Sequence, residues 1–225
     1  MKIREVKIKK DKKNDITKSG YFNVFGDKAI AELCRKIQST TIRNGNELQD
    51  IILKEVSVQK LSQKIDLDSL IRLVRTGATF YIPNYKINKQ QLESKNIKLI
   101  GKKNIDIDAI FCKENILYII EYKQGDNLDT KKSQSEVESL SKISELFSSY
   151  NIQTLPKLVM WVCDDVKNSS IKTTESKEFL TTGKEACEIL GISFENIELI
   201  RKQDQVDNIN YFFEEFEKIK NTIKK

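Results

Sequence analysis

Histidine is missing from this sequence altogether. Its absence excludes Ser-His-Asp and Cys-His catalysis, zinc sites with histidine ligands, and every enzyme that needs a histidine general base. Chemistry based on carboxylates, lysine and a metal ion is compatible with this composition.

Cysteine is scarce, and its spacing argues against a metal or disulfide role. The four cysteines lie far apart and include no C-x-x-C pair, so a zinc site or a disulfide framework is not expected. Each has apolar neighbours, which predicts small buried side chains. They are Cys34, Cys112, Cys163 and Cys187.

Long apolar runs and phosphate-binding loops are also missing. No run approaches the roughly 20 residues that span a bilayer, and no apolar segment follows the basic N-terminus, so we expect neither a membrane span nor a secretory signal. We therefore expect a cytoplasmic protein. The absence of a Gly-rich loop or dinucleotide fingerprint predicts that no nucleotide cofactor is bound.

Positive charge is concentrated at the N-terminus. Residues 1–43 contain 12 Lys/Arg against 5 Asp/Glu, whereas the remainder contains 27 against 28. A basic segment on a nearly neutral body is compatible with binding to a polyanion, and equally with a solubilising lysine-rich terminus.

The most informative stretch is residues 105–123, IDIDAIFCKENILYIIEYK. Alternation over residues 105–111 predicts a half-buried strand, and the apolar run of residues 116–120 predicts a central strand. The polar residues 113–115 between them predict a hairpin turn. Closing that turn brings Asp108 to the level of Glu121, while Glu121 and Lys123 share a face because they are two residues apart.

Two carboxylates and an ammonium group at one sheet edge have a chemical use. Mg²⁺ prefers one or two carboxylates, retains several waters and completes its shell from phosphate. A lysine beside the ion can orient water or offset charge on a phosphate. The alternative is a surface hairpin in which Glu121 and Lys123 form a solvated pair worth under about 1 kcal/mol.

This stretch resembles the signature of the PD-(D/E)XK nuclease superfamily: Asp108, twelve intervening residues, then Glu121-Tyr122-Lys123. Ile107 stands where the family often has proline. The resemblance implies Asp108 and Glu121 as metal ligands, with the Tyr122 carbonyl as a further ligand. It implies Lys123 as the catalytic lysine and Mg²⁺ as the cofactor, with Mn²⁺ as a substitute. Asp106 is the alternative for the aspartate ligand, but the distance from Asp108 to Glu121 fits a tight hairpin better.

Two flanking helices supply further candidates. In the superfamily a helix before the hairpin often contributes a glutamate, and Glu47, after the turn signal Gly45-Asn46, resembles that position. Asp50 is the alternative, and both are also ordinary acidic residues for a first helical turn. After Lys123, an amphipathic helix begins with Lys131, Lys132, Ser133 and Gln134. These four residues would suit a DNA phosphate, or form a solvated first turn.

The order of elements predicts an α/β fold with a mixed central β-sheet flanked by helices, and a restriction-endonuclease-like core. A strand at residues 158–163, after the amphipathic helix, implies a crossover connection. We expect a basic arm and helix over residues 1–44 and a nuclease domain over residues 45–225, together one compact domain. A C-terminal helix over residues 207–225 carries three phenylalanines, which indicate core packing or a dimer seam.

By analogy with the superfamily, the chain is expected to be a Mg²⁺-dependent type II restriction endonuclease. Such an enzyme would cut a short specific sequence in double-stranded DNA as a homodimer. A structure-specific resolvase or repair nuclease is the alternative within the superfamily. A non-catalytic nucleic-acid-binding protein that uses the N-terminal lysines is the alternative from another class.

Overall fold

The computed structural model describes residues 2–6, 15–99, 103–124, 130–162 and 178–223, apart from the side chains of residues 42, 44, 45, 130–133 and 223. The helices are α1 (Gly20–Phe25), α2 (Lys28–Glu55), α3 (Leu67–Arg75), α4 (Lys89–Glu93), α5 (Thr130–Ser148), α6 (Gly183–Leu190) and α7 (Phe194–Ile223). The strands are β1 (Gln59–Lys60), β2 (Phe80–Asn88), β3 (Asn104–Lys113), β4 (Ile116–Lys123), β5 (Gln153–Met160) and β6 (Leu180–Thr182).

The six strands form one mixed sheet in sequence order, β1-β2-β3-β4-β5-β6. β3 pairs antiparallel to both β2 and β4, whereas β1 pairs parallel to β2, and β5 pairs parallel to β4 and β6. Parallel pairing of β4 with β5 requires a crossover, and α5 lies between these strands in the chain. The predicted α/β fold with a mixed sheet is therefore confirmed.

The chain divides into two compact units, Ile51–Phe194 and Met1–Asp50 with Glu195–Lys225. The first unit contains the whole sheet and a large apolar core, in which residues of β2–β5 pack with Leu70 of α3 and with Leu140, Ile143 and Phe147 of α5. The second unit is helical. The predicted division into a basic arm and helix over residues 1–44 and a nuclease domain over residues 45–225 stays a prediction.

The helical unit has its own small core. Ile3, Leu33, Tyr211 and Ile219 are buried together. The Ile3 N–H donates to the Asn208 side chain at 2.6 Å, and the Lys36 ammonium donates to the Tyr211 hydroxyl at 2.6 Å. These contacts join the N-terminal residues and α2 to the C-terminal helix.

Three local predictions were wrong. α2 continues through Gly45-Asn46, because a glycine costs a helix interior only about 1 kcal/mol and a helix of 28 residues can absorb that loss. The apolar spacing over residues 58–75 predicts one helix, but the helix begins only at Leu67, where the Asp66 side chain accepts from the Ser69 N–H. The short segment of residues 197–200 predicts a last strand, but it lies near the start of α7.

None of the described helices combines the length and apolar character needed to cross a membrane. The cytoplasmic location stays a prediction. Of the four cysteines, Cys112 and Cys187 are buried and Cys34 is half-buried, and none of these three is in a disulfide; Cys163 lies outside the described residues.

Gly183, at the start of α6, allows a close approach that no larger residue permits. A Cβ atom there would lie 2.8 Å from the Trp161 carbonyl oxygen and 3.1 Å from Phe194. We expect Gly183→Ala to lower the free energy of unfolding by about 1–3 kcal/mol, because a backbone oxygen cannot move aside cheaply. Urea denaturation measures the change.

Gly20→Ala is the matched control, since a Cβ atom at Gly20 meets nothing within 4 Å. Its free energy of unfolding should stay within about 1 kcal/mol of the parent value. Equal effects of the two substitutions would contradict the packing at Gly183.

Candidate active site

The β3–β4 hairpin brings the candidate residues together. Glu114 and Asn115 both have positive φ, +54° and +63°, which is the conformation of a two-residue type I′ turn. This turn sets the register, in which Ala109 pairs with Ile120. One step further along the same register, Asp108 lies opposite Glu121.

At Asp108 the regular backbone hydrogen bonding between β3 and β4 stops, and the Asp108 side chain accepts in place of a backbone carbonyl. The Tyr122 N–H donates to Asp108 Oδ2 at 2.8 Å. On the other side of β3, the pairing with β2 omits Asn84 opposite Asp108, and Asn84 has φ +50°. Asp108 is thus held by the strand that carries Glu121.

The side-chain alternation of β3 also shifts at this position. Ile105 and Ile107 belong to the main core, and so do Ile110 and Cys112 beyond Asp108. Because residues two apart share a face, Asp108 is in phase with Ile110 and Cys112. This is the face on which α5 packs.

Lys123 is held between two carboxylates. Its Nζ lies 2.7 Å from Glu121 Oε1 and 3.1 Å from Glu136 Oε1 of α5. The Lys123 backbone is also fixed, because its carbonyl accepts from the Trp161 N–H at 2.8 Å. Glu121 and Lys123 side chains are only 12% and 22% exposed, so this network is largely shielded from solvent.

The charges in this network perturb one another. Burial raises the pKa of Glu121 to about 8, and the nearby Asp108 charge adds to this effect, which Lys123 only partly opposes. For Lys123, burial alone would lower the pKa, but the pairs with Glu121 and Glu136 raise it above its ordinary value. The fold therefore holds Glu121 in an environment that disfavours its charge.

An open cleft of about 480 Å³ adjoins these groups. It is lined by Lys103, Asn104, Ile105, Asp106, Asp108, Glu121, Glu136 and Ser139. The cleft gives water and a polar ligand access to the carboxylates.

Asp106 and Asp108 occupy different environments. Asp106 is exposed and pairs with Lys86 at 2.9 Å, whereas Asp108 is half-buried and bound to the backbone of β4. This difference supports Asp108 as the candidate ligand. The Tyr122 carbonyl points towards β3, the strand that carries Asp108. Its N–H points that way, and the N–H and C=O of one strand residue point to the same side.

The other predicted site residues are not among the described residues that line this cleft. Glu47 belongs to the helical unit, where it lines a cavity of about 230 Å³ with Arg201 and Asp204, and Asp50 is exposed on the same helix. Lys131, Lys132 and Ser133 fall in the first turn of α5, with side chains outside the described residues, and Gln134 is exposed. The roles predicted for them stay predictions.

Glu136 was missed by the sequence reasoning. Its signal is its position on α5, four residues before Leu140 and seven before Ile143, both buried in the main core. A carboxylate in line with core residues on an amphipathic helix needs a buried partner. In this fold that partner is Lys123.

A comparison with curated proteins finds the type II restriction enzyme HhaII of Haemophilus parahaemolyticus. The two sequences are 33% identical over 211 residues, which is 89% of this chain and 89% of that protein. The chain belongs to the HhaII family of type II restriction enzymes. No protein-family model matches the sequence, and no solved structure matches the fold.

Membership in this family confirms the predicted class of enzyme, a type II restriction enzyme. The PD-(D/E)XK assignment, the metal and the individual site residues remain predictions. Among the described residues, no group of three or more His, Cys, Asp or Glu side chains is arranged around one metal position. An ion bound in this cleft would have two carboxylates as ligands, and backbone, water or substrate oxygens would complete its coordination shell.

Glu121 is expected to reduce stability when the protein is free of metal. Glu121→Gln should raise the free energy of unfolding by about 1–2 kcal/mol, because at pH 7 folding must protonate the Glu121 carboxyl, whose pKa rises to about 8, whereas glutamine is already neutral. Urea denaturation in EDTA at pH 7 measures the change.

Asp106→Asn serves as the comparison, since Asp106 is 71% exposed and its removal should change stability by less than about 0.5 kcal/mol. A loss of stability in Glu121→Gln would show that its pair with Lys123 outweighs the unfavourable terms.

Proposed function

We propose that this chain is a Mg²⁺-dependent restriction endonuclease of the PD-(D/E)XK type. It would hydrolyse phosphodiester bonds at a short specific sequence in double-stranded DNA. The observation that carries the proposal is that Asp108 and Glu121 line one cleft and that Lys123 pairs with Glu121 beside it, in a chain whose relative is a type II restriction enzyme.

The donor set suits Mg²⁺. Asp108 and Glu121 would hold the ion, together with the Tyr122 carbonyl, and all are the hard oxygen ligands that this ion prefers. The adjoining cleft has room for the waters and phosphate that would complete the shell. When bound, the ion supplies polarisation of the phosphate and stabilisation of the leaving oxygen, and Mn²⁺ would substitute for it.

Lys123 would act on the attacking water and the phosphate. An ammonium group has three N–H donors, and Glu121 and Glu136 accept from two of them. The third can donate to a water or a phosphate oxygen, where it orients the nucleophile and offsets negative charge. Glu136 would act through Lys123, as a positioning residue that fixes the direction of this third donor.

DNA contacts are assigned to basic and polar residues near the cleft. Lys131, Lys132, Ser133 and Gln134 begin α5, the helix that also carries Glu136, and backbone N–H groups at a helix start favour phosphate. The lysine-rich residues 1–43 would add sequence-independent attraction to DNA. The likeness to a restriction enzyme favours this function over a resolvase or a non-catalytic binder.

Plasmid and phage DNA incubated with the protein and Mg²⁺ should yield discrete fragments. EDTA should abolish cleavage, and Asp108→Asn, Glu121→Gln and Lys123→Ala should each slow it about 100-fold or more, because each removes a group that acts on the reacting phosphate. Gel electrophoresis and end mapping measure cleavage and locate the sites.

Asp106→Asn is the matched control and should cleave at the parent rate, since Asp106 already pairs with Lys86 at the surface. Inactive Asp106→Asn with active Asp108→Asn would reverse the assignment of the aspartate. Unchanged cleavage by Lys123→Ala would place the active site elsewhere.

Glu136→Ala should lower the single-turnover cleavage rate about 10–100-fold, as is typical when a partner that orients a site residue is removed. The affinity for DNA, measured separately in Ca²⁺, should change little. Glu136→Gln keeps an oxygen acceptor for Lys123 and should recover part of the rate.

Glu138→Ala on the same helix is the control, because Glu138 is exposed and pairs with Lys142. Equal rates for Glu136→Ala, Glu138→Ala and the parent would remove Glu136 from the mechanism.

A further inference from the structure

The sheet forks at the candidate active site. Residues 109–113 of β3 pair with β4, whereas residues 104–107 pair with β2 alone among the described strands. β4 continues beside β5 instead, through residues 121–123. Residues 103–106 line the cleft together with Glu136 and Ser139 of α5. This part of β3 therefore borders the cleft as a strand edge that β4 does not cover.

β2 and the start of β3 form a two-stranded ribbon beside this fork, in which residues 85–88 pair with residues 104–107. We call these eight residues the β2–β3 ribbon. Its buried face is apolar and belongs to the main core. Its exposed face is polar throughout, and the four residues on it are Lys86, Asn88, Asn104 and Asp106.

Asn104 is the residue of this polar face that is available to a ligand. Lys86 and Asp106 form an ion pair with each other at 2.9 Å. The Asn88 side chain accepts from the Gln91 N–H at the start of α4. Asn104 lines the cleft, and its side chain has no hydrogen-bond partner within the part of the chain that the structure describes.

The backbone around Asn104 is fixed by hydrogen bonds. Asn104 pairs with Asn88, the residue that caps α4. The carbonyl of the preceding residue, Lys103, accepts from the Lys89 N–H at 2.9 Å. Side chains on paired strands are placed more precisely than side chains on loops. The Asn104 amide is thus held in a defined position at the cleft.

The charges of the cleft favour one position for a DNA phosphate away from any metal ion. Four carboxylates line the cleft, and Lys103 is the one cation among the described residues that line it. A phosphate is repelled by carboxylates and attracted by an ammonium group. Lys103, which directly precedes Asn104 in the chain, is therefore the favoured phosphate contact.

We infer that Asn104 recognises an adenine of the target sequence and that Lys103 binds a neighbouring DNA phosphate. This inference rests on the proposed function and names residues that select its substrate. An asparagine amide carries an N–H donor and a C=O acceptor side by side, which match N7 and the N6 amino group of adenine in the major groove. Guanine presents two acceptors at the same edge, which suit lysine or arginine instead.

The dimensions of the β2–β3 ribbon fit this role. The major groove is about 12 Å wide and admits a two-stranded ribbon. From Asp108 to Asn104 the strand advances about 13 Å, at about 3.3 Å per residue. This length corresponds to about four base-pair steps of about 3.4 Å. Asn104 therefore reaches bases that lie within a short target sequence around the cut.

Binding to short DNA duplexes tests the inference, with Ca²⁺ in place of Mg²⁺ and fluorescence anisotropy as the measurement. The target sequence is first mapped with the parent protein. Each adenine in it, on both strands, is then replaced in turn by 7-deazaadenine, which lacks the N7 acceptor. The parent should lose about 10-fold or more in affinity at one adenine. Asn104→Ala should bind the unmodified duplex about 10–100-fold more weakly and be insensitive to the analogue at that adenine.

Lys103→Ala should weaken binding to the target and to unrelated duplexes by the same factor, because a phosphate contact carries no sequence information. It should also reduce the slope of log Kd against log salt concentration by about one. A loss of affinity confined to the target duplex would overturn the assignment of Lys103 to a phosphate.

Gln90→Ala is the matched control, because it removes an exposed amide of α4 that does not line the cleft. It should bind and discriminate as the parent does, and circular dichroism verifies that each variant is folded. Asn104→Ala that responds to 7-deazaadenine as the parent does, or a target without a responsive adenine, overturns the inference while the proposed function stands. A parent protein that cuts no DNA and binds no duplex selectively overturns both.

Discussion

The hydrogen bond from the Tyr122 N–H to Asp108 Oδ2 is the contact on which the candidate active site depends. It occurs where the β3–β4 ladder ends, so a carboxylate takes a donor that would otherwise bind a backbone carbonyl. A half-buried carboxylate is thereby aligned opposite Glu121 without any flexible loop. The accuracy of the site comes from the sheet itself, because strand register leaves little freedom in the position of either residue.

The cost of this arrangement is electrostatic. Asp108, Glu121 and Glu136 line one cleft, and Lys123 is the cation that the described structure places between two of them. Burying these charged side chains does not by itself stabilise the fold, because the cost of desolvation offsets much of the Coulombic attraction between them. Local structure that opposes stability is typical of functional sites, where the strain is compensated by the surrounding core.

The helical unit follows a different logic. Its small core uses one side of α7, and several large apolar side chains of that helix, among them Ile209 and Phe213, are exposed. The sheet unit has the larger core and carries the cleft.

The sequence by itself determined the sheet class and the hairpin, and it indicated the carboxylates and the lysine of the candidate site. Alternation and apolar runs are local signals, and so is the short polar segment at residues 113–115, which brings Asp108 back to about the level of Glu121. The absence of histidine is a property of composition alone, and it excluded every catalytic mechanism that needs a histidine. The family assignment, too, rests on sequence.

Only the tertiary structure decided which residues α5 contacts and how far the long helices extend. Glu136 meets Lys123 through the packing of α5 on the sheet, a contact between residues 13 positions apart that no local pattern specifies. The interruption at Gly45 was overridden because packing along α2 outweighs the propensity of one residue. The strand expected at residues 197–200 became helix because tertiary packing, not a short apolar run, selects between the two.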